Sequence, residues 1–144
     1  MNIRKIDKDD LSSLIILYKQ FWGDISNLQK MQTLYNELIK NPDYIILCAE
    51  IEQKVVGTVM GVVCYELYGE CKPFMVMENL VIDKSYRKKG IAKLLLTELE
   101  MIAKNKKCSQ IQFITEKNRN DAVSFYTAMG FDPNSHIGFK KSLK

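Results

Sequence analysis

Residues 75–102 constrain the fold more than any other stretch. Met75 to Ile82 is apolar and partly β-branched, the pattern of a buried strand. Asp83 to Lys89 is polar and charged, and so reads as a loop. From Gly90 the apolar residues Ile91, Leu94, Leu95, Leu99 and Ile102 fall at helical spacing, with Glu98 breaking the stripe. A strand therefore runs into a basic, glycine-containing loop that opens a helix. The first N–H groups of a helix lack partners within it, and its dipole is positive at that end. Arg87, Lys88, Lys89 and Lys93 surround that end, which predicts an anion site, most naturally for phosphate. Gly90 lets the backbone approach a ligand, and Ala92 adds almost no bulk. The competing reading is a solvated basic turn, and spacing alone does not separate the two. A Walker loop is excluded because Gly-Lys-Ser/Thr is missing, and a dinucleotide fingerprint because Gly90 stands alone.

The chain has 144 residues, 47% of them hydrophobic, which suits one globular domain over residues 1–144. No apolar run is long enough to span a bilayer and the N-terminus is not a signal peptide, so cytoplasm is the default compartment and no membrane partner is expected. The four cysteines, Cys48, Cys64, Cys71 and Cys108, form no CxxC pair. With His136 as the sole histidine, no metal site is expected. Cys48, Cys64 and Cys108 lie in apolar stretches and are expected to be buried, reduced packing residues. The net charge of +4 is concentrated in Arg87 to Lys93, Lys104 to Lys107 and Lys140 to Lys144. No nucleic-acid-binding motif accompanies these patches, and no nucleic-acid partner is expected.

In chain order, Met1 to Ile6 suits an edge strand. Asp9 or Asp10 is expected to cap a helix with Leu11, Leu14, Ile15, Tyr18, Phe21 and Trp22 on one face. After Gly23-Asp24, Ser26 or Asn27 caps a second helix with Leu28, Met31, Leu34, Tyr35, Leu38 and Ile39 as its stripe, stopped at Asn41-Pro42-Asp43. Tyr44 to Ile51 and Lys54 to Tyr65 form a hairpin about Glu52-Gln53, buried on both faces, and Gly57 and Gly61 mark bulges or close approaches. Glu66 to Pro73 is a loop. The helix from Gly90 runs to about Lys104. Cys108 to Thr115 is read as a strand and Asn118 to Met129 as a helix with Ala122, Phe125, Tyr126 and Met129 inward. Phe131 and Ile137 to Leu143 supply the last strands.

Two residues stand out within this pattern. Tyr126 lies on an apolar helix face, where a buried phenol needs a hydrogen-bond partner. Glu78 interrupts an apolar strand, where a carboxylate is costly unless it is paired, bonded or facing a cavity. The plainer alternatives are a core tyrosine and an edge carboxylate pointing to water.

Leu80 to Ala92, with Arg87-Lys-Lys-Gly90-Ile-Ala92, resembles the acetyl-coenzyme A motif of the GNAT superfamily of N-acetyltransferases, Arg/Gln-x-x-Gly-x-Gly/Ala after a strand. Ala122 to Phe131, with Tyr126 and the closing Gly130-Phe131, is similar to the later helix of that family. The two motifs span Glu78 to Phe131, with a strand between them. One position departs: many members have asparagine seven residues before the tyrosine, where this chain has Arg119, flanked by Asn118 and Asn120. Any of the three is then a candidate for contacting coenzyme A.

The resemblance implies an α/β fold with a twisted, mostly antiparallel mixed sheet. Six or seven strands and about four helices are expected, with the sheet splayed at an acetyl-CoA cleft. It implies that the pantetheine of acetyl-CoA pairs with the backbone of Leu80, Val81 and Ile82. Its pyrophosphate takes N–H groups from Lys88, Lys89, Gly90, Ile91, Ala92 and Lys93, beside Arg87. Tyr126 completes the expected cofactor contacts. An ammonium of pKa about 10.4 must lose a proton before it attacks, and Glu78 is the candidate base, directly or through water. A backbone N–H near Leu80 is the candidate oxyanion donor. Tyr126 is the candidate proton donor to the thiolate, whose parent thiol has a pKa of about 8.5.

The expected reaction is direct acetyl transfer to a primary amine in a ternary complex, without a metal. The alternatives are a non-catalytic acyl-CoA-binding or sensing domain and a nucleic-acid-binding module. The acceptor is read as a small-molecule or protein amine. Asp24, Glu66 and Glu70 in flanking loops favour a cationic one, with Trp22, Tyr65 and Tyr68 as candidate cation–π partners. Sequence leaves oligomeric state open, a homodimer included.

Overall fold

The computed structural model describes residues 1–144. The chain divides into two compact units, Met1–Gln112 and Phe113–Lys144. In the first, β1 (Asn2–Lys5), α1 (Leu11–Trp22) and α2 (Leu28–Leu38) lead into β2 (Tyr44–Ile51), β3 (Lys54–Cys64) and β4 (Phe74–Ile82). Then follow α3 (Ile91–Asn105) and β5 (Ile111–Gln112). The strands form one sheet in the order β1-β2-β3-β4-β5, antiparallel except for the parallel β4–β5 pair. The mixed architecture expected from the sequence is present, and the N-terminal strand lies at an edge as read.

Local chemistry explains the joints. The β2–β3 hairpin closes on Glu52 and Gln53, both left-handed at φ 49° and 62°, as a two-residue hairpin loop that follows the strand twist requires. Gly23 ends α1 in the left-handed region and donates its N–H to the Lys19 carbonyl at 2.9 Å. Asn27 caps α2 by accepting from the Lys30 N–H at 2.9 Å. The cap expected from Asp9 or Asp10 is replaced by Asp7, which caps a short 3-10 turn ahead of α1. Asp10 instead accepts two bonds from Arg4, at 2.6 and 2.9 Å, and one from the Asp7 N–H. A nearly buried carboxylate gains more from a guanidinium fork than from one amide.

Period two assigns the two faces of the sheet. Gly57, Gly61 and Met75 lie on the α3 side: a Cβ on Gly61 would meet Met75 Sδ at 2.7 Å and Leu99 Cδ1 at 2.8 Å. These glycines let α3 sit close, so close approach is their role. On the other face, Leu11, Leu14, Leu17, Tyr35, Cys48, Val55 and Val81 form one cluster, flanked by Tyr18, Phe21, Met31 and Ile46. Burial on both faces makes the centre of β3 apolar except for Thr58, whose buried hydroxyl donates to the Leu47 carbonyl. Within the stripes, Leu94 of α3, Leu28 and Leu34 of α2, and Ile39 just after α2 are exposed rather than buried. Of the cysteines expected to be buried, Cys48 is, whereas Cys64 and Cys108 are half-buried.

The sheet has five strands, fewer than the six or seven expected. The strand read over Cys108 to Thr115 shrinks to Ile111–Gln112, whose register with β4 is confined to Met75–Ile111 and Val76–Gln112. In the second unit, α4 (Asn120–Ala128) is followed by Phe131 and a tail without strand or helix. Ile137, Phe139 and Leu143 alternate like a strand but are 82%, 93% and 91% exposed. An apolar alternation without a pairing partner is not a strand. Asp132 turns the chain here by accepting from the Asn134 N–H at 2.8 Å. The core of this unit is aromatic: Phe113, Tyr126 and Phe131 lie with ring centroids 4.4 to 6.0 Å apart.

Gly61→Val places two methyl groups where Met75 and Leu99, both fully buried, already sit. It is expected to cost about 1–3 kcal/mol, read as a lower urea midpoint at unchanged slope. An unmoved midpoint contradicts the close α3 packing.

Candidate functional site

β4 carries an extra residue. Thr58 pairs with Val81 and Met60 with Glu78, so Val59 alone faces both Asn79 and Leu80. Asn79 has φ 55°, in the left-handed region that asparagine tolerates better than most residues. This is a β-bulge, and it takes backbone groups off the ladder. It also reverses the facing of the strand: Met75 and Met77 share the face of Gly61 and Val63, whereas Val81 joins the α1 cluster. From Met77 onward β4 has a strand partner only on the β3 side. The backbone of Leu80, Val81 and Ile82, expected to meet a ligand, thus lies on a strand with an unpaired edge.

The loop after β4 is braced from within. Asp83 is 5% exposed and caps a short 3-10 turn over Lys84–Tyr86 by accepting from the Ser85 N–H at 2.9 Å. Gln20 of α1 donates to Asp83 at 3.3 Å and accepts from the Lys84 N–H at 2.9 Å. Lys54 Nζ lies 3.6 Å from Asp83, and with Lys89 it also lies about 5 Å from the Tyr86 ring centroid. Burial alone raises the Asp83 pKa, but the Ser85 N–H, Gln20 and Lys54 together leave it below the ordinary 3.8.

Beyond the brace the loop opens. Arg87 donates to the Ile82 carbonyl at 3.3 Å. Lys88 and Gly90 are left-handed at φ 59° and 78°, and beyond Gly90 and its two chain neighbours no atom lies within 4 Å of the position a Gly90 Cβ would take. Gly90 is the N-cap of α3 and offers no side-chain cap. The first intrahelical acceptance is Leu94 N–H to Gly90 O at 3.2 Å, which leaves the N–H groups of Ile91, Ala92 and Lys93 without helix partners. Arg87, Lys88, Lys89 and Lys93 are all exposed. The donor set suits a polyanion such as a pyrophosphate: uncapped N–H groups, left-handed residues, open space and four cations.

Glu78 sits immediately before the bulge, opposite Met60. It is exposed, and no hydrogen bond or ion pair holds its carboxylate, as the reading of an edge carboxylate pointing to water has it. Asp24, Glu66 and Glu70 are exposed. Trp22 is half exposed, edge-on to Tyr18 and Phe21. Tyr65 donates to Asp43 at 3.0 Å, an acceptor it shares with Lys106. Within the chain, the cation–π pairs are those of Lys54 and Lys89 with the Tyr86 ring.

In the second unit, Asn118 and Arg119 precede α4 and Asn120 is its first residue. Tyr126 is half-buried against Phe113, Phe125 and Phe131, and its hydroxyl makes no hydrogen bond. Burial raises its pKa above the ordinary phenol value, with Arg119 opposing, so it is protonated at neutral pH. Gln20, Asn79 and Asp83 were not singled out by sequence. The one signal was Asn79, an amide inside an apolar strand.

Residues 11–131 match the acetyltransferase (GNAT) family. The chain belongs to this family. An aminoglycoside N(6')-acetyltransferase type 1 from Acinetobacter baumannii is 25% identical over 99% of both chains. A solved structure of a putative acetyltransferase from Agrobacterium tumefaciens superposes with a TM-score of 0.91 at 22% identity, covering 99% of both chains. An aminoglycoside acetyltransferase from an uncultured soil metagenomic sample, solved with sisomicin, gives 0.81 at 22% identity over 99% of this chain and 96% of that one. The two solved structures share the fold. In this member no group of three His, Cys, Asp or Glu side chains is placed to hold a metal, and no helix is long and apolar enough to cross a membrane.

Asp83 also predicts a pH dependence. A lowered carboxylate pKa stabilises the fold in full above the unfolded-state value, and the gain is lost as pH falls through the folded-state value. The stability gap between wild type and Asp83→Asn is therefore expected to be constant near neutrality and to shrink below about pH 4. Urea unfolding at pH 7 and pH 3 checks it; a gap equal at both pH values contradicts the assignment.

Proposed function

We propose that this acetyltransferase moves an acetyl group from acetyl-CoA to the nitrogen of a primary amine, by direct attack within a ternary complex. One observation carries the reading: a bulged strand with an open edge delivers the chain into the uncapped, cation-rich start of α3. The family match supports the acetyl-transfer class. It runs across both units, which supports treating residues 1–144 as a single N-acetyltransferase domain.

Acetyl-CoA supplies an acyl group activated as a thioester. The chain's own groups do the rest. The N–H groups from Lys88 to Lys93 bind pyrophosphate oxygens, with Arg87, Lys88, Lys89 and Lys93 adding charge; Ile91 and Ala92 contribute backbone only. Leu80, Val81 and Ile82 align the pantetheine by strand-like bonding. Asn118, Arg119 and Asn120 are further candidates for coenzyme A contacts. Glu78 accepts the ammonium proton, directly or through water, and its exposure leaves it open to an incoming amine. The Leu80 N–H receives the negative charge that attack places on the carbonyl oxygen. Tyr126, protonated at neutral pH, supplies the proton that the departing thiolate takes up. Two aminoglycoside acetyltransferases among the relatives support a small polyamine-like acceptor. The exposed Asp24, Glu66 and Glu70 are consistent with a cationic one.

Gly90→Asp puts a carboxylate where the pyrophosphate binds and strains a left-handed position. With circular dichroism confirming the fold, calorimetry is expected to show acetyl-CoA affinity at least ~10-fold weaker, about 1.4 kcal/mol. Unchanged affinity rejects the site. Tyr126→Phe keeps the ring stack and removes the hydroxyl. In an amine screen followed by thiol release, it is expected to lower kcat by about 10- to 100-fold with KM for acetyl-CoA little changed. Wild-type turnover under a rate-limiting chemical step returns Tyr126 to packing alone.

A further inference from the structure

One side chain of α1 reaches past the core to the end of β4. Leu11, Leu14 and Leu17 are the buried residues of that helix. Gln20, one turn beyond Leu17, is half-buried and uses both ends of its amide. Its nitrogen donates to the Asp83 carboxylate at 3.3 Å, and its oxygen accepts from the Lys84 N–H at 2.9 Å. A backbone N–H only donates and an ionised carboxylate only accepts, so these partners fix which way the amide points. A glutamate, a lysine or an apolar residue at position 20 would satisfy at most one of them.

These bonds close the start of a turn. Lys84, Ser85 and Tyr86 form the 3-10 turn after β4. The Lys84 N–H goes to Gln20, the Ser85 N–H to the Asp83 carboxylate and the Tyr86 N–H to the Asp83 carbonyl, each at 2.9 Å. The next backbone N–H along the chain to find a backbone carbonyl is that of Leu94, which donates to Gly90 at 3.2 Å. Arg87, Lys88, Lys89 and Gly90 therefore span from this turn to α3, with Lys88 and Gly90 left-handed. A left-handed lysine persists only where its surroundings hold it. Packing of Ile91 and Leu95, both buried, sets the α3 axis, but the N–H groups of Lys88, Lys89 and Gly90 point where the turn sends the chain. Hydrogen bonds weaken steeply with misalignment.

We propose that Gln20 is a positioning residue for acetyl-CoA: by clamping Asp83 and Lys84 it aims the N–H groups of Lys88, Lys89 and Gly90 at the pyrophosphate. The inference rests on the acetyl-CoA reading above, and it assigns Gln20 no contact with the cofactor. It gives α1, which precedes both sequence motifs, a share in cofactor binding. Lys54 answers the same carboxylate from the start of β3, 3.6 Å away, but as an exposed point charge it neutralises Asp83 without holding Lys84.

Gln20→Met keeps the side-chain length and removes both bonds. Calorimetry is expected to show acetyl-CoA bound about 10-fold more weakly than by the wild type. Residue-resolved amide exchange at saturating acetyl-CoA gives the second reading. The variant is expected to lose ligand-induced protection at Lys88, Lys89 and Gly90 and to keep it at Leu80 to Ile82. Exchange from β2 and β3 without ligand is expected to match the wild type, which separates positioning from a general loss of stability. Affinity within about twofold of wild type, or protection at Lys88 to Gly90 that survives, overturns the positioning role. Protection lost equally at both segments overturns it too, because a merely structural role does not single out the loop. If Gln20→Met does not fold, Gln20→Ala decides through the same two readings. A wild type that binds no acetyl-CoA overturns the cofactor reading and this inference with it. Wild-type binding that the variant reproduces in full overturns this inference only.

Discussion

One additional residue in β4 organises the first unit. Side chains alternate along a strand with a period of two, so inserting Asn79 opposite Val59 exchanges the faces beyond that point. Before it, Met75 and Met77 pack toward α3; after it, Val81 packs toward α1 and Ile82 lies against Gly57 on the α3 side. The strand thereby serves two separate apolar clusters without losing burial in either. The cost falls on the backbone, which must leave the ladder for one step. Relief comes from an asparagine, which tolerates a positive φ.

The bulge and the basic loop are consecutive, and α1 braces the loop through Gln20. Asp83 ends the strand as a buried carboxylate, which is tolerated because the Ser85 N–H, the Gln20 amide and Lys54 answer it. Everything beyond that anchor is left open: Lys88, Lys89 and Gly90 are exposed, and α3 starts without a side-chain cap. A charge near a helix terminus contributes only about 0.3–1 kcal/mol when exposed. The four cations therefore act mainly by steering and by counter-charge. Geometry comes from the N–H groups of Ile91, Ala92 and Lys93.

The legible parts of the sequence were those written in local patterns. Ile91, Leu95 and Leu99 fixed the buried face of α3, and Glu52-Gln53 marked the hairpin turn. Arg87 to Gly90 lay in a loop at a helix start, as the charge pattern indicated. What failed depended on partners distant in sequence. Ile137, Phe139 and Leu143 have strand alternation, but nothing local states whether a neighbouring strand exists to pair with them. Asp10 looked like a helix cap because Arg4 and Glu50 meet only after β1 and β2 pair. For Glu78 the apolar neighbours left open a paired or cavity-facing carboxylate and one pointing to water; the residues across the sheet decide that, and they leave it exposed. Asn79 within an apolar strand was a usable hint of the bulge.

The central claim is that acetyl-CoA binds along the unpaired edge of β4 and at the start of α3. Residue-resolved amide hydrogen exchange, with and without saturating acetyl-CoA, tests it most directly. The account predicts new protection at Leu80 to Ile82 and at Ile91 to Lys93, with β1 and α2 unchanged. Protection confined to other elements, or none at the bulge and the α3 N-terminus while acetyl-CoA is bound, would contradict it.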